Sequence, residues 1–347
     1  MIVKNEEEVL SRCLESVCDF ADEIIIVDTG STDKTKHIAQ NYTDKVYDFK
    51  WIDDFSAARN YAFDKAEGRY LMWLDADDVI PQSELQKLLE LKKRLTGEVD
   101  VYMLKYDIAF DSEGKPTYSY YRERIMKNDG TFHWEGAIHE VIAPHGKIEH
   151  LDISVQHRKN RGSDKDRNLN IYRKLIKSGK KLNAREQYYY SRELYYHNHY
   201  KKCIRELKKT LLMSDLWIED RLGAIELIGI CYANLGEYEK SRQQLLRSLD
   251  IAPPRAKNLC LIGNSYLLQA KYNLAIFWFK SALKSEKNLN GFIEEDYYGY
   301  YPAINLCVCY YNIGKFEESK KYNEIALKFK PNDEIARRNR EFFLKNE

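Results

Sequence analysis

"RYLMWLDADDVIP", residues 69–81, decides how the first half of the chain folds. Its opening is almost wholly apolar, which predicts a buried strand over 70–75. Asp75, Asp77 and Asp78 then fall within four positions. Like charges at such spacing repel unless something positive sits among them. A divalent cation with oxygen ligands meets that need, holding a D-x-D pair on one side and a phosphate on the other. Alone, the tripeptide also fits a plain polar turn. The Gly that an EF-hand requires at loop position six is absent, no GxxxxGK[ST] occurs, and no GxGxxG follows a strand.

Outward from this stretch, β-branched runs alternate with helical patterns. "EIIIVDTG" (23–30) predicts a strand and turn, "STDKTKHIAQNY" (31–42) a capped helix, and "KVYDF" (45–49) a strand. "SAARNYAFDKAEG" (56–68) predicts a helix closed by Gly68. "SELQKLLELKKRL" (83–95) is amphipathic, and "VDVYMLKYDIAF" (99–110) reads as strand again. Alternation of this kind implies an α/β layer with a largely parallel sheet, whose ligands sit beyond the strands' carboxyl ends. Asp28 and Asp75 both lie at such ends and are expected to face one crevice.

From about residue 183 the strand signals stop, and helical hairpins follow with a period near 34 residues. Gly229, Tyr232, Gly236, Tyr238 and Pro253 occupy the small, aromatic and terminating positions of one unit. Gly263, Tyr266, Tyr272, Ala275, Phe279 and Ala282 repeat them, as do Tyr310, Gly314, Phe316, Ala326 and Pro331. A weaker unit starts near Gln187, and the offsets between units are 38, 34 and 44 residues. This pattern resembles tetratricopeptide repeats, which stack into a solenoid with a concave face. Between the halves, residues 158–185 carry eleven Lys or Arg against two Asp. That run reads either as a solvated linker helix or as a source of cations for a polyanionic ligand. Most of the chain's 27 tyrosines are expected to pack between helices, with a subset lining the groove.

Composition narrows the class. The chain has 347 residues, 44% of them hydrophobic, and Lys plus Arg (55) nearly balances Asp plus Glu (54). Nothing there announces a nucleic-acid partner. No apolar run approaches the ~20 residues of a membrane span. The seven cysteines are odd in number and show no CxxC spacing, so a disulfide framework or zinc site is not expected and a reducing cytoplasm fits.

"MIVKNEEEVLSRCLESV", "EIIIVDTGSTDKT", "DFSAARNYAFDKAEGRYLMWLDADD" and "FHWEGAIHEVI" together resemble the family 2 glycosyltransferases of GT-A fold. Within that family the layout is similar to the bacterial branch carrying tetratricopeptide repeats, and to the peptide glycosyltransferases that modify bacteriocins. The resemblance implies a Rossmann-like mixed sheet with flanking helices over 1–157, a basic linker over 158–182, and an all-α tetratricopeptide-repeat solenoid of about four hairpins over 183–347. It implies a metal-dependent, inverting transfer from a UDP-sugar to a peptide, protein or glycan acceptor bound partly by the repeats. Mn²⁺ or Mg²⁺ would be the cofactor. The competing reading is a non-catalytic peptide-binding scaffold with a degenerate transferase domain. Solenoid edges leave room for a homodimer.

Carried over by position, Asp28 would contact uracil or ribose, helped by Val3, Asn5 and Glu6. Asp77 would be the direct metal ligand and Asp75 would lie near the ribose, with Ala76 between them on the donor. Asp78 reads as a charge at the next helix's N-terminus. Arg59 and Asn60 would flank the donor, and Trp134 would pack against sugar or acceptor. Glu140 is the expected base, with Glu135 as runner-up. His139 and His157 are candidate metal ligands, although the Gly and Tyr that commonly follow the latter in this family are missing here. Lys165 and Arg167 are expected on the diphosphate. Members of the family begin with a longer first strand, so the chain is expected to start inside it.

Overall fold

The computed structural model describes residues 1–111, 113–158, 165–286 and 293–345. They form two compact units, Met1–Ser178 and Gly179–Glu347. The first runs β1 (Ile2–Val3), α1 (Leu10–Glu15), β2 (Ile26–Asp28), α2 (Thr35–Gln40), β3 (Val46–Asp48), α3 (Phe55–Phe63), β4 (Tyr70–Met72), β5 (Asp78–Val79), α4 (Gln82–Lys92), β6 (Val101–Phe110), β7 (Pro116–Lys127), β8 (Trp134–Glu135), β9 (Val141–Ile142), β10 (Ile148–His157) and α5 (Arg167–Lys177).

Two sheets result. β1, β2 and β3 are parallel with β2 central, and Ile26 and Val27 are fully buried, as a strand covered on both faces requires. The larger sheet is mixed. β4 pairs antiparallel with β7, β7 with β6, and β5 with β10, while β6 and β10 run parallel. The largely parallel sheet expected from the sequence therefore holds for the first layer alone. The five residues between β6 and β7 are too few for a crossover helix and make a hairpin instead. Leu85, Leu88 and Leu91 of α4 pack on Leu104, Ile125 and Val155 of this sheet.

Three local expectations are corrected. α3 ends at Phe63, so Gly68 does not close it; its start is fixed by Asp54, whose carboxylate accepts the Ala57 N–H at 3.0 Å. The strand read over 70–75 ends at Met72. Asp78 is no helix-terminal charge: it lies in β5, fully buried, four residues before α4. α5 falls within the stretch read as linker and belongs to the first unit, burying Leu169, Ile171 and Tyr172.

The second unit is helical: α6 (Ala184–Tyr196), α7 (Tyr200–Thr210), α8 (Ile218–Asn234), α9 (Tyr238–Leu246), α10 (Ala256–Leu267), α11 (Tyr272–Leu283), α12 (Tyr300–Asn312), α13 (Phe316–Phe329) and α14 (Glu334–Lys345). Consecutive helices pair into four hairpins, and α14 packs on the last. Each hairpin turns through one left-handed residue, Asn198, Gly236, Ala270 or Gly314, at the spacings read from the sequence. The small positions are small because the partner helix is close. A Cβ on Gly229 would lie 2.6 Å from Leu245 Cγ. Gly229→Ala is therefore expected to destabilise the protein by about 1 kcal/mol, the packing strain outweighing the helix propensity that Ala gains. A urea midpoint equal to wild type would show that the hairpin opens freely there. All seven cysteines are free, and Cys18 alone is exposed. Among the described residues no helix is long and apolar enough to cross a membrane.

Candidate functional site

A cavity of about 440 Å³ in the first unit gathers residues from most of its length, from Ile2 to Asn168. The D-A-D turn forms one wall and is closed on itself. The Asp75 N–H donates to Asp78 Oδ2 (2.9 Å), and the Asp78 N–H donates to the Asp75 carbonyl (3.0 Å).

The opposite wall, residues 134–140, is held by α3. Asn60 grips Trp134 twice, accepting its N–H at 2.8 Å and donating to its carbonyl at 3.0 Å. The Phe55 N–H reaches the Ala137 carbonyl at 2.9 Å. Gly136 and His139 both adopt positive φ, bending the loop so that His139 and Glu140 reach the wall. Arg59 then joins the two walls. Its Nη2 donates to Asp75 Oδ1 and its Nε to Glu140 Oε1, each at 2.7 Å. The guanidinium lies over the Trp134 ring (4.7 Å) and beside Trp73 (5.3 Å). Burial alone would raise the Asp75 carboxyl; the Arg59 charge, with Arg124 behind it, outweighs this and holds it at about 2.

His157 arrives from 80 residues away through the short β5–β10 ladder, which sets it opposite Asp78. Its Nδ1 lies 3.3 Å from Asp77 Oδ1, 3.6 Å from Asp78 Oδ1 and 3.0 Å from the Tyr106 hydroxyl. Bonding to Asp77 and Asp78 raises the imidazole to about 9, so a proton supplies the positive charge this corner demands. Asp77, Asp78 and His157 each bring one ligand atom within 4.8 Å of the others. Asp78 is already committed. Its Oδ2 takes Arg124 Nη1 at 2.9 Å as well as the Asp75 amide, and its Oδ1 takes the Tyr106 hydroxyl at 2.9 Å. Asp77 and His157, both on the cavity wall, are the pair that suits a hard divalent cation.

The remaining expected residues divide. Val3, Glu6, Ala76, Trp134, His139 and Arg167 line the cavity. Asp28 sits just behind Thr29, which is on the wall. Its Oδ1 accepts the Gly30 and Ser31 N–H groups at 2.9 and 2.8 Å, while its buried Oδ2 has no hydrogen-bond partner among the described residues. Asn5 is off the wall and ties the β1 loop to the β2 turn, accepting the Thr32 N–H at 2.8 Å. Glu135 is exposed and Lys165 is exposed, and neither lines the cavity. Arg122, Arg124 and Tyr106 went unread in the sequence. For the two arginines the signal was charge inside a strand that ends apolar, "RERIM" (122–126), since a buried strand holds charges only when they are paired; Tyr106 had none.

Residues 1–148 match the model of glycosyl transferase family 2, and residues 223–255 match a tetratricopeptide repeat. The first unit thus contains a family 2 glycosyltransferase domain, and the second carries tetratricopeptide repeats. A TPR repeat-containing protein of Synechococcus elongatus is 35% identical over 144 residues, 41% of this chain and 34% of that protein. The prophage-derived glycosyltransferase SunS of Bacillus subtilis is 26% identical over 226 residues, 61% of this chain and 52% of its own. The chain thus spans between a third and about half of these relatives' lengths. The crystal structure of a thermophilic TPR protein of Thermus thermophilus covers 52% of this chain and 90% of its own, at 18% identity and a TM-score of 0.39.

Proposed function

We propose that this protein is a metal-dependent, inverting glycosyltransferase that moves a sugar from a UDP-sugar to a peptide, protein or glycan acceptor. The observation carrying this reading is the bridge of Arg59 between Asp75 of the D-x-D turn and Glu140 of the W-x-G-x-x-H-E loop, beside Asp77 and His157. It supports a reading in which the Asp77–His157 pair takes the cation and the Glu140 carboxylate, on the same cavity, takes the proton.

In this reading Asp77 and His157 would hold Mn²⁺ or Mg²⁺, while His139 lines the same cavity without joining their cluster. The bound cation supplies charge neutralisation to the departing diphosphate. Arg167 lines the same cavity and brings it a positive charge. The nucleoside lies along the carboxyl ends of β1 and β2, where Val3, Glu6 and Thr29 form the wall and Asp28 shapes the turn. Glu140 takes the acceptor's proton; its Oε1 is committed to Arg59, so Oε2 faces the acceptor. Its place on the wall favours it over the outward-facing Glu135. Trp134, buried beneath the Arg59 guanidinium, backs the part of the wall that the sugar meets. The repeats recognise the acceptor, and the seven free thiols suit a reducing cytoplasm.

Slow hydrolysis of a nucleotide-sugar needs no knowledge of the acceptor. One member of a panel of UDP-sugars is expected to be hydrolysed in the presence of Mn²⁺, with the rate abolished by chelator. Calorimetry with UDP and Mn²⁺ should show heat for both. Silence toward both, with no donor hydrolysed, would leave the chain a non-catalytic peptide-binding scaffold.

A further inference from the structure

Arg124 is the largest fully buried side chain among the described residues, yet it does not reach the cavity. β7 carries a bulge there: Tyr102 of β6 faces Ile125, and Met103 faces Glu123, which leaves Arg124 as the extra residue. A bulge re-aims a side chain, and this one turns a guanidinium into the core. Nη1 donates to the Trp73 carbonyl at 3.1 Å and to Asp78 Oδ2 at 2.9 Å. Nε and Nη2 are buried with no hydrogen-bond partner among the described residues. The guanidinium lies instead between two aromatic rings, with Trp73 at 3.8 Å and Tyr106 at 4.2 Å. A charge this deeply placed is tolerated only for its partner's sake, and the partner is Asp78.

Asp78 in turn spends its other contacts on the cavity's cation corner. It clamps the Asp75 amide, which closes the turn presenting Asp77. It also accepts the Tyr106 hydroxyl proton, which leaves the Tyr106 oxygen to receive the His157 Nδ1–H at 3.0 Å. That chain of contacts fixes the His157 ring beside Asp77 on the cavity wall. We infer that Arg124 is a positioning residue: acting through Asp78 and Tyr106, it sets the Asp77 carboxylate and the His157 imidazole before a cation arrives. The inference rests on the proposed metal-dependent reading.

The test measures Mn²⁺ affinity of the full-length protein, with UDP present, by electron paramagnetic resonance of free Mn²⁺. Arg124→Met is expected to weaken Mn²⁺ binding about tenfold or more, with donor hydrolysis recovering as Mn²⁺ is raised. Arg124→Lys keeps the charge and should recover much of the affinity. Tyr106→Phe, which removes one hydroxyl from the relay, should weaken binding about threefold to tenfold and serves as the deciding variant should Arg124→Met fail to fold. A folded Arg124→Met, or a Tyr106→Phe, that binds Mn²⁺ as tightly as wild type overturns the positioning role alone. Wild type that binds no Mn²⁺ overturns the metal reading, and this inference with it.

Discussion

Asp77→Ala should leave the protein folded and cut donor hydrolysis by about 10²- to 10⁴-fold, since the charge stabilisation a metal supplies is worth several kcal/mol and each 1.4 kcal/mol is tenfold. The fold should survive because Asp77 is a partly exposed turn residue. Its backbone carbonyl, which accepts the Arg158 N–H at 2.8 Å, is untouched by the substitution. The neighbouring carboxylates do not substitute for it. Asp75 is occupied by Arg59 and Asp78 by Arg124, so neither can swing over without breaking an ion pair. Circular dichroism establishes the fold and a UDP-sugar hydrolysis assay with added Mn²⁺ reads the rate. An Asp77→Ala protein that hydrolyses donor at the wild-type rate in chelator-treated buffer would remove the metal from the mechanism.

The sequence announced the elements whose residues speak for themselves. "EIIIVDTG" (23–30) predicted a strand ending in a turn, which returned as β2, and the repeat spacings returned as four left-handed turns at 198, 236, 270 and 314. Asp75, Asp77, Glu140 and His157 were all named, and all four line one cavity. What stayed hidden was pairing. β7 and β10 carry Arg122, Glu123, Arg124, Glu149 and Asp152, and a strand with such charges does not show apolar alternation until its partners are known. Asp78 looked like a surface charge because the residue that neutralises it lies 46 positions away. Arg59 was read as flanking the donor, whereas its structural weight comes from joining Asp75 to Glu140, a link across 81 residues that no local pattern encodes. Glu135 and Glu140 were near-equivalent letters in one motif. The strand alternation that buries Trp134 turns Glu135 outward, and the positive φ of Gly136 and His139 brings Glu140 in.

Arg59→Met should be the most destabilising substitution in the cavity, lowering unfolding free energy by about 3 kcal/mol, because removing one member of a buried pair strands the other. Here two carboxylates are stranded at once. Glu140 is 12% exposed and takes most of the penalty; Asp75, at 33%, is partly relieved by solvent. The size of the defect should depend on pH, and its sign follows from Asp75. A carboxyl held at about 2 in the folded protein, against 3.8 for its ordinary value, adds stability that is present above about 3.8 and is lost as pH falls through about 2. The gap between wild type and Arg59→Met in urea midpoint should therefore be widest near pH 7 and narrow toward pH 3. Adding Glu140→Gln to Arg59→Met should restore part of the loss, since a neutral amide tolerates burial without a cation. Equal midpoints for wild type and Arg59→Met at pH 7 would mean that the guanidinium is held there for the reaction alone and contributes nothing to the fold. The double variant would then gain nothing over the single one, and the link between the D-x-D turn and the base would have to be sought in the kinetics.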